Sequence, residues 1–220
     1  EWSEIGQLQQ RLGDDAAAAH AFAQALVAQA DHAPALRGLA ATLPADDPRQ
    51  LSLCERLYTA SAAEHWWASE RATGLIEARL AHEPALEADL RRWRPRLKDA
   101  QAVEERAWQA LCEMPPLQAA RQHELNDFEL GELQADLARF GHARSAWLLS
   151  TNLSEFPQRR AYRLLLDLAE RDPAIRWEMC RHLEQTLDLP GPVVVHAADE
   201  DEGPTLTDFR RLGLPAVYPA

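Results

Sequence analysis

Branched aliphatic residues are nearly missing from this chain, and that scarcity constrains its fold more than any other feature. Its 220 residues hold 3 Ile and 6 Val against 40 Ala and 33 Leu. Four of the six valines, Val193, Val194, Val195 and Val217, fall beyond Leu189. Pleated surfaces are usually covered by branched and aromatic side chains. The chain up to Asp188 therefore reads as close to sheet-free, and the expected fold class is all-α. With 46% apolar residues the chain can bury one sizeable core or two small ones.

Proline, glycine and aspartate punctuate this helical text. Ser3 to Leu12 reads as a helix stopped by Gly13, and Asp14-Asp15 caps a second over Ala16 to Gln29. Pro34 opens a third that ends near Leu43, and a fourth spans Arg49 to Thr59. A longer element covers Ser61 to Ala81, and Pro84 starts one running to Cys112, with a kink or division expected at Pro95. Beyond the Pro115-Pro116 break, helices are expected at 117–124, 127–139, 142–153, 157–171 and 173–188, jointed at Gly141, Pro157 and Pro173. From Leu189 the chain turns rich in Pro, Gly and Val and carries the acidic stretch Asp199–Glu202. This reads as an extended Pro-rich C-terminal arm, with room for a short strand at Val193–His196 and a helical turn near Asp208–Leu212. Three segments follow: helical hairpins over 1–60, an irregular helical body over 61–188, and the arm over 189–220.

Trp2, Ile5 and Gly6 hold large, large and small places, Gly13 sits at a turn, and Ala18, Phe22, Ala25 and Leu26 supply small and aromatic places after it. Thirty-four residues beyond Trp2, Ile5, Gly6 and Gln9 stand Leu36, Leu39, Ala40 and Leu43. In this register the N-terminal fifth of the chain resembles the tetratricopeptide repeat, a helix-turn-helix unit of 34 residues. The resemblance implies antiparallel hairpins stacked as an α-α superhelix, with small residues at Gly6 and Ala18 allowing close approach and Trp2, Ile5, Phe22 and Leu26 filling the seam. It further implies binding: a concave surface for a peptide or partner helix, with Ser3, Gln7, Gln10, Arg11 and Arg37 facing the groove. The Lys and Asn that clamp a C-terminal carboxylate in some members are missing here. After Pro44 the pattern degrades.

Charge argues against some partners. With 35 acidic and 23 basic residues the net charge is −12, a field that repels phosphate backbones and anionic lipid, so nucleic acid is not an expected partner. The run Arg91 to Lys98 is locally basic, but Trp93 and Leu97 stand four apart like a buried stripe, and an acidic surface such as Asp199–Glu202 is its expected counterpart. The ratio of 22 Arg to one Lys, Lys98, reads as codon bias in a GC-rich, bacterial genome. Cys54, Cys112 and Cys180 are widely spaced and form no metal-ligand pattern, which points to free thiols and a reducing compartment, the cytoplasm. No membrane span is expected, because no apolar run approaches the length that crossing a bilayer requires. The first residue is Glu1 and not Met, which leaves room for a removed upstream segment and keeps the compartment open.

No HExxH, ExxH pair, GxSxG, P-loop or GxGxxG pattern occurs, so no metal, cofactor or catalytic residue is assigned. Glu64-His65-Trp66-Trp67 is the most unusual local cluster. Trp66 and Trp67 point about 100° apart on a helix, which suits either a junction in the core or an aromatic anchor for a partner. The expected function is thus a protein–protein interaction module, an adaptor, chaperone or assembly factor that binds another protein or peptide through Gln7, Gln10, Arg11, Arg37, Trp66 and Trp67. The alternative is a helical enzyme, or an accessory domain of one, with a site near His65, His123 or Glu124.

Overall fold

A computed structural model describes residues 1–113, 117, 121–153, 155–157, 159–198 and 204–219. The Pro115-Pro116 break and the Asp199–Glu202 stretch lie outside the described residues. The chain divides into two compact units, Glu1–Arg106 and Ala107–Ala220.

The first unit is helical. Helices α1 (Trp2–Arg11), α2 (Asp15–Ala28), α3 (Ala33–Thr42), α4 (Gln50–Ala60) and α5 (His65–Arg79) each pack on the next, and α1 also meets α3. Helix α6 (Glu87–Glu113) follows, with Pro95 inside it, and the boundary between the units falls within its range. No division of the helix occurs at Pro95. Local chemistry explains the first joint. Gly13 takes φ +77°, a left-handed conformation that other residues adopt only under strain, and the Asp14 carboxylate then accepts the Ala17 N–H at 3.0 Å. The core of this unit is a seam of small and large residues. The Phe22 ring is fully buried at the crossing of three helices, where Gly6 of α1 and Gly38 of α3 both leave it room. A Cβ at either glycine would stand under 3 Å from ring carbons. Leu36, Leu39, Leu53 and Leu57 close around it.

The second unit overturns the all-α expectation. Among its described residues, β1 (Arg121–Gln122), β2 (Ala143–Thr151), β3 (Ala161–Leu168) and β4 (Val193–Ala197) form one mixed sheet in that order. Pairing is antiparallel from β1 to β2 and from β2 to β3, and parallel from β3 to β4. The protein is a helix-dominated mix of α and β. Residues 142–153 and 157–171, expected to be helices, are chiefly the two central strands. They read as helix because their apolar residues are Leu, Ala and Trp, and a short apolar run has no periodicity that separates a buried strand from a buried helix. In β3, Tyr-Arg-Leu-Leu-Leu is buried on both faces, so the alternation that marks a half-exposed strand is missing.

Helices α7 (Asp127–Phe140) and α8 (Pro173–Thr186) cover one face of this sheet. Leu133 and Leu137 from α7 and Cys180 and Leu183 from α8 pack there on Ala146, Leu148, Leu164, Leu166, Val193 and Val195. Both helices start on strong caps: Asn126 and Glu129 form a reciprocal capping box, and the Asp172 carboxylate receives the Ala174 N–H before Pro173 continues the first turn. Helix α9 (Leu206–Arg211) covers the opposite face, where Phe209 packs on Trp147, Leu149 and Leu165.

The expected extended arm is therefore part of a folded unit. Its Val run supplies β4, its helical turn is α9, and Tyr218 bridges back to Ala146 in β2. A short strand with an open edge invites pairing with other chains. Here Glu184 of α8 blocks that edge, its carboxylate accepting the Val195 N–H at 3.0 Å.

Candidate functional site

Helix α1 has an inverted surface. Its inward side is small and polar: Ser3 and Gly6 are buried and Gln10 is half-buried. Its apolar residues point outward, with Trp2 47%, Ile5 39%, Leu8 58% and Leu12 83% exposed. At about 100° per residue these four cover one arc of roughly 120°. The expectation that Trp2 and Ile5 fill the seam with Phe22 is thus corrected, because the Phe22 ring already occupies it. The equivalent places on α3 behave oppositely: Leu36 and Leu39 are buried in the core that Phe22 and Ala25 of α2 share.

Gln7 and Arg11 are exposed beside this stripe. Arg37 of α3 is engaged within its own unit. Its guanidinium pairs with Glu64 at 3.0 Å and lies over the Trp67 ring, 5.4 Å from the centroid. The two tryptophans part company, Trp66 exposed and Trp67 packed partly into the core. The structure brings Arg37, Glu64 and Trp67 together and leaves Gln7, Gln10 and Arg11 on α1.

His65 stacks flat on Tyr58, with ring centroids 3.9 Å apart and planes 10° from parallel. Burial pushes its imidazole down from its ordinary value, the Tyr58 backbone raises it and the Arg96 charge lowers it further. Arg96 lies 4.6 Å from the Tyr58 centroid and 4.8 Å from that of Trp93, and its nitrogen donates to both oxygens of Glu55 at 2.9 Å. The neighbouring arginines also find acids within the unit: Arg91 with Glu87, Arg92 with Asp89 and Glu55, Arg94 with Glu77. Trp93 beneath them is 1% exposed. The basic run thus turns Trp93 inward, leaves Leu97 half-buried and pairs its arginines with acids of the same unit.

In the second unit the His123 imidazole is pushed down by burial, and its Nδ1 accepts the Leu125 N–H at 3.3 Å. Glu124 borders a polar cavity of about 250 Å³. The sheet register builds its floor. Arg121 pairs with Ser150 and Ser150 with Tyr162, so one cross-strand row lines three neighbouring side chains on the same face. Arg159 and Arg160 enter from the turn between β2 and β3. Tyr162 is fully buried, and the Arg160 guanidinium is the polar group its hydroxyl faces. Burial pushes this phenol up against the pull of the Arg160 guanidinium beside it. Sequence reading missed these residues because it placed 117–124, 142–153 and 157–171 on helices, where the described residues form β1, β2 and β3. The signal available was the Arg159-Arg160 doublet two residues after Pro157, which sits in a hairpin connection.

On the other face Arg163 is 1% exposed and donates to the Leu111 carbonyl at 3.0 Å. His196 on β4, pushed down to about 4 by burial and then by the Arg163 charge, has a buried Nε2 without a hydrogen-bond partner. Cys54 and Cys180 are buried free thiols, each pushed up to about 11 chiefly by burial, and Cys112 is free and exposed. Among the described residues, no group of three or more His, Cys, Asp or Glu is placed to hold a metal ion, and no helix is long and apolar enough to cross a membrane. No protein-family model, curated protein or solved structure matches the chain.

Proposed function

We propose that this chain is a protein–protein interaction module, an adaptor, chaperone or assembly factor, whose first unit works as a tetratricopeptide-like helical array. The observation that carries this reading is the outward apolar stripe of α1. Trp2 and Ile5 repeat the spacing of Leu36 and Leu39, and α3 buries its pair in the seam it shares with α2. Among the described residues nothing covers this helix face, and an exposed apolar face supports an interaction site. The partner it fits is an amphipathic helix with small and aromatic residues on one face, the chemistry that Ala18, Phe22 and Ala25 of α2 provide inside the array. Gln7, Gln10 and Arg11 would border the bound helix with polar groups. Trp66 supplies a second exposed aromatic. Three free thiols, one of them exposed, suit a reducing compartment such as the cytoplasm.

A photoreactive residue at position 8, with the same probe at exposed position 102 as control, tests the reading. The expected result is a crosslink from position 8 that maps to an amphipathic helix of one partner polypeptide and disappears in Ile5→Glu. Equal labelling from both positions, or labelling that survives Ile5→Glu, refutes it.

A further inference from the structure

The arginine-lined cavity of the second unit is independent of the α1 surface. We infer that it is a binding site for a small phosphoryl-bearing ligand, inorganic phosphate or a low-mass phosphate monoester, held by Arg121, Arg159 and Arg160 with the Tyr162 hydroxyl.

Four observations converge on this site. First, cations gather here in a chain of net charge −12, so the concentration of guanidinium runs against the overall composition. Arg121 makes no ion pair among the described residues, and Arg160 reaches both oxygens of Glu129 at 3.4 Å from the edge of the cavity. Second, the groups are held in place. The Ser150 hydroxyl donates to the Gln122 carbonyl at 3.0 Å and pins the two-residue strand that carries Arg121. Arg159 lies over the Phe156 ring, 4.1 Å from its centroid. The Arg160 carbonyl packs directly on Gly191, where a Cβ would collide with it. Third, Tyr162 borders the cavity, and its buried hydroxyl lies beside the Arg160 guanidinium, so phenol and guanidinium meet at one wall of the site. Fourth, three guanidinium groups border one cavity. Each guanidinium carries five N–H groups in a planar fork, and a phosphoryl group presents three terminal oxygens to receive them.

The cavity of about 250 Å³ has room for a phosphate together with the small group it esterifies. Glu124 at its border excludes a second anionic group there and accepts from a hydroxyl of the ligand. A phosphate monoester carrying a hydroxyl fits this pattern better than a dianion with charge at both ends.

Calorimetric titration of the whole chain tests the inference, with inorganic phosphate, glycerol 3-phosphate and succinate as probes at ionic strength matched with chloride. Saturable binding of phosphate or glycerol 3-phosphate is expected, with succinate at least tenfold weaker. Arg121→Gln should weaken binding tenfold or more, since a hydrogen bond to a charged group is lost. Arg121 is exposed, so circular dichroism of that variant should match the parent chain. Tyr162→Phe should weaken binding without removing it. Absence of saturable binding for both phosphate probes overturns the inference, as does equal binding by Arg121→Gln. Succinate binding as tightly as phosphate overturns the assignment to phosphoryl groups.

Discussion

Replacing Gly38 by Ala tests whether the Phe22 crossing holds the first unit together. In an open helix this change stabilises by roughly 1 kcal/mol, because Ala loses less backbone freedom than Gly. Here the added Cβ would stand 2.3 Å from Phe22 Cζ and 2.5 Å from both Cε atoms. Ordinary carbon contacts lie at about 3.5–4.0 Å, so the ring must retreat by more than an ångström. It has little room to do so, since it is fully buried and its Cε1, Cδ1 and Cζ already crowd Gly6 of α1. Overpacking a filled core costs about 1–3 kcal/mol, and a collision with three ring atoms belongs at the upper end. The net expectation is a loss of about 1–2 kcal/mol. Phe22→Leu removes the ring tip, so Gly38→Ala in that background should regain the helix-propensity gain and become neutral or mildly stabilising. The two backgrounds should then differ by about 2 kcal/mol, a coupling characteristic of residues in contact. Urea unfolding followed by circular dichroism gives the four stabilities. The two compact units need not unfold together, so hydrogen exchange on peptides from residues 1–60 should show that the loss falls in the first unit. Equal effects of Gly38→Ala in both backgrounds would refute the argument, as would a variant more stable than the parent chain.

His196 makes the second unit acid-sensitive. Its imidazole is held near 4 in the folded chain against about 6.5 when unfolded, so only the unfolded state gains a proton between those values. The stability is complete above about pH 6.5 and is lost as pH falls toward 4, by about 3 kcal/mol over the window. Urea midpoints measured at pH 7 and pH 4.5 should diverge less in His196→Gln, and an unchanged divergence counts against this origin. Gly191→Ala should destabilise by about 2 kcal/mol or more, because its Cβ would meet the Arg160 carbonyl, a backbone atom that cannot rotate away. Thermal unfolding together with phosphate titration reads both the stability and the cavity, and a fully stable variant would contradict the close approach. Asn126→Ala removes one half of the α7 capping box and should cost about 1 kcal/mol in the same unfolding assay, while no loss would mean the cap is idle.

What residues specify locally was legible in the chain by itself. Gly13 with Asp14, Pro34, Gly141 and Pro173 mark helix ends, and α1, α2, α3, α7 and α8 begin or stop within one or two residues of those signals. Such signals work because a cap, a left-handed glycine or a missing N–H acts over a single turn. The crowding of Val at 193–195 likewise announced a strand, and β4 is there. Tertiary structure alone decided the rest. Ala-Trp-Leu-Leu and Tyr-Arg-Leu-Leu-Leu become strands because each pairs with the other and is sandwiched between α7 and α8 on one side and α9 on the other. No nearest-neighbour preference in those segments demands it. The same holds for the sites. Trp2 and Ile5 were visible as a repeat pattern, but their exposure depends on which helix Phe22 fills against. Arg121, Ser150 and Tyr162 are widely separated along the chain and share a row only through sheet register. Register is a property of pairing between strands, and a linear sequence of Leu and Ala carries no mark of it.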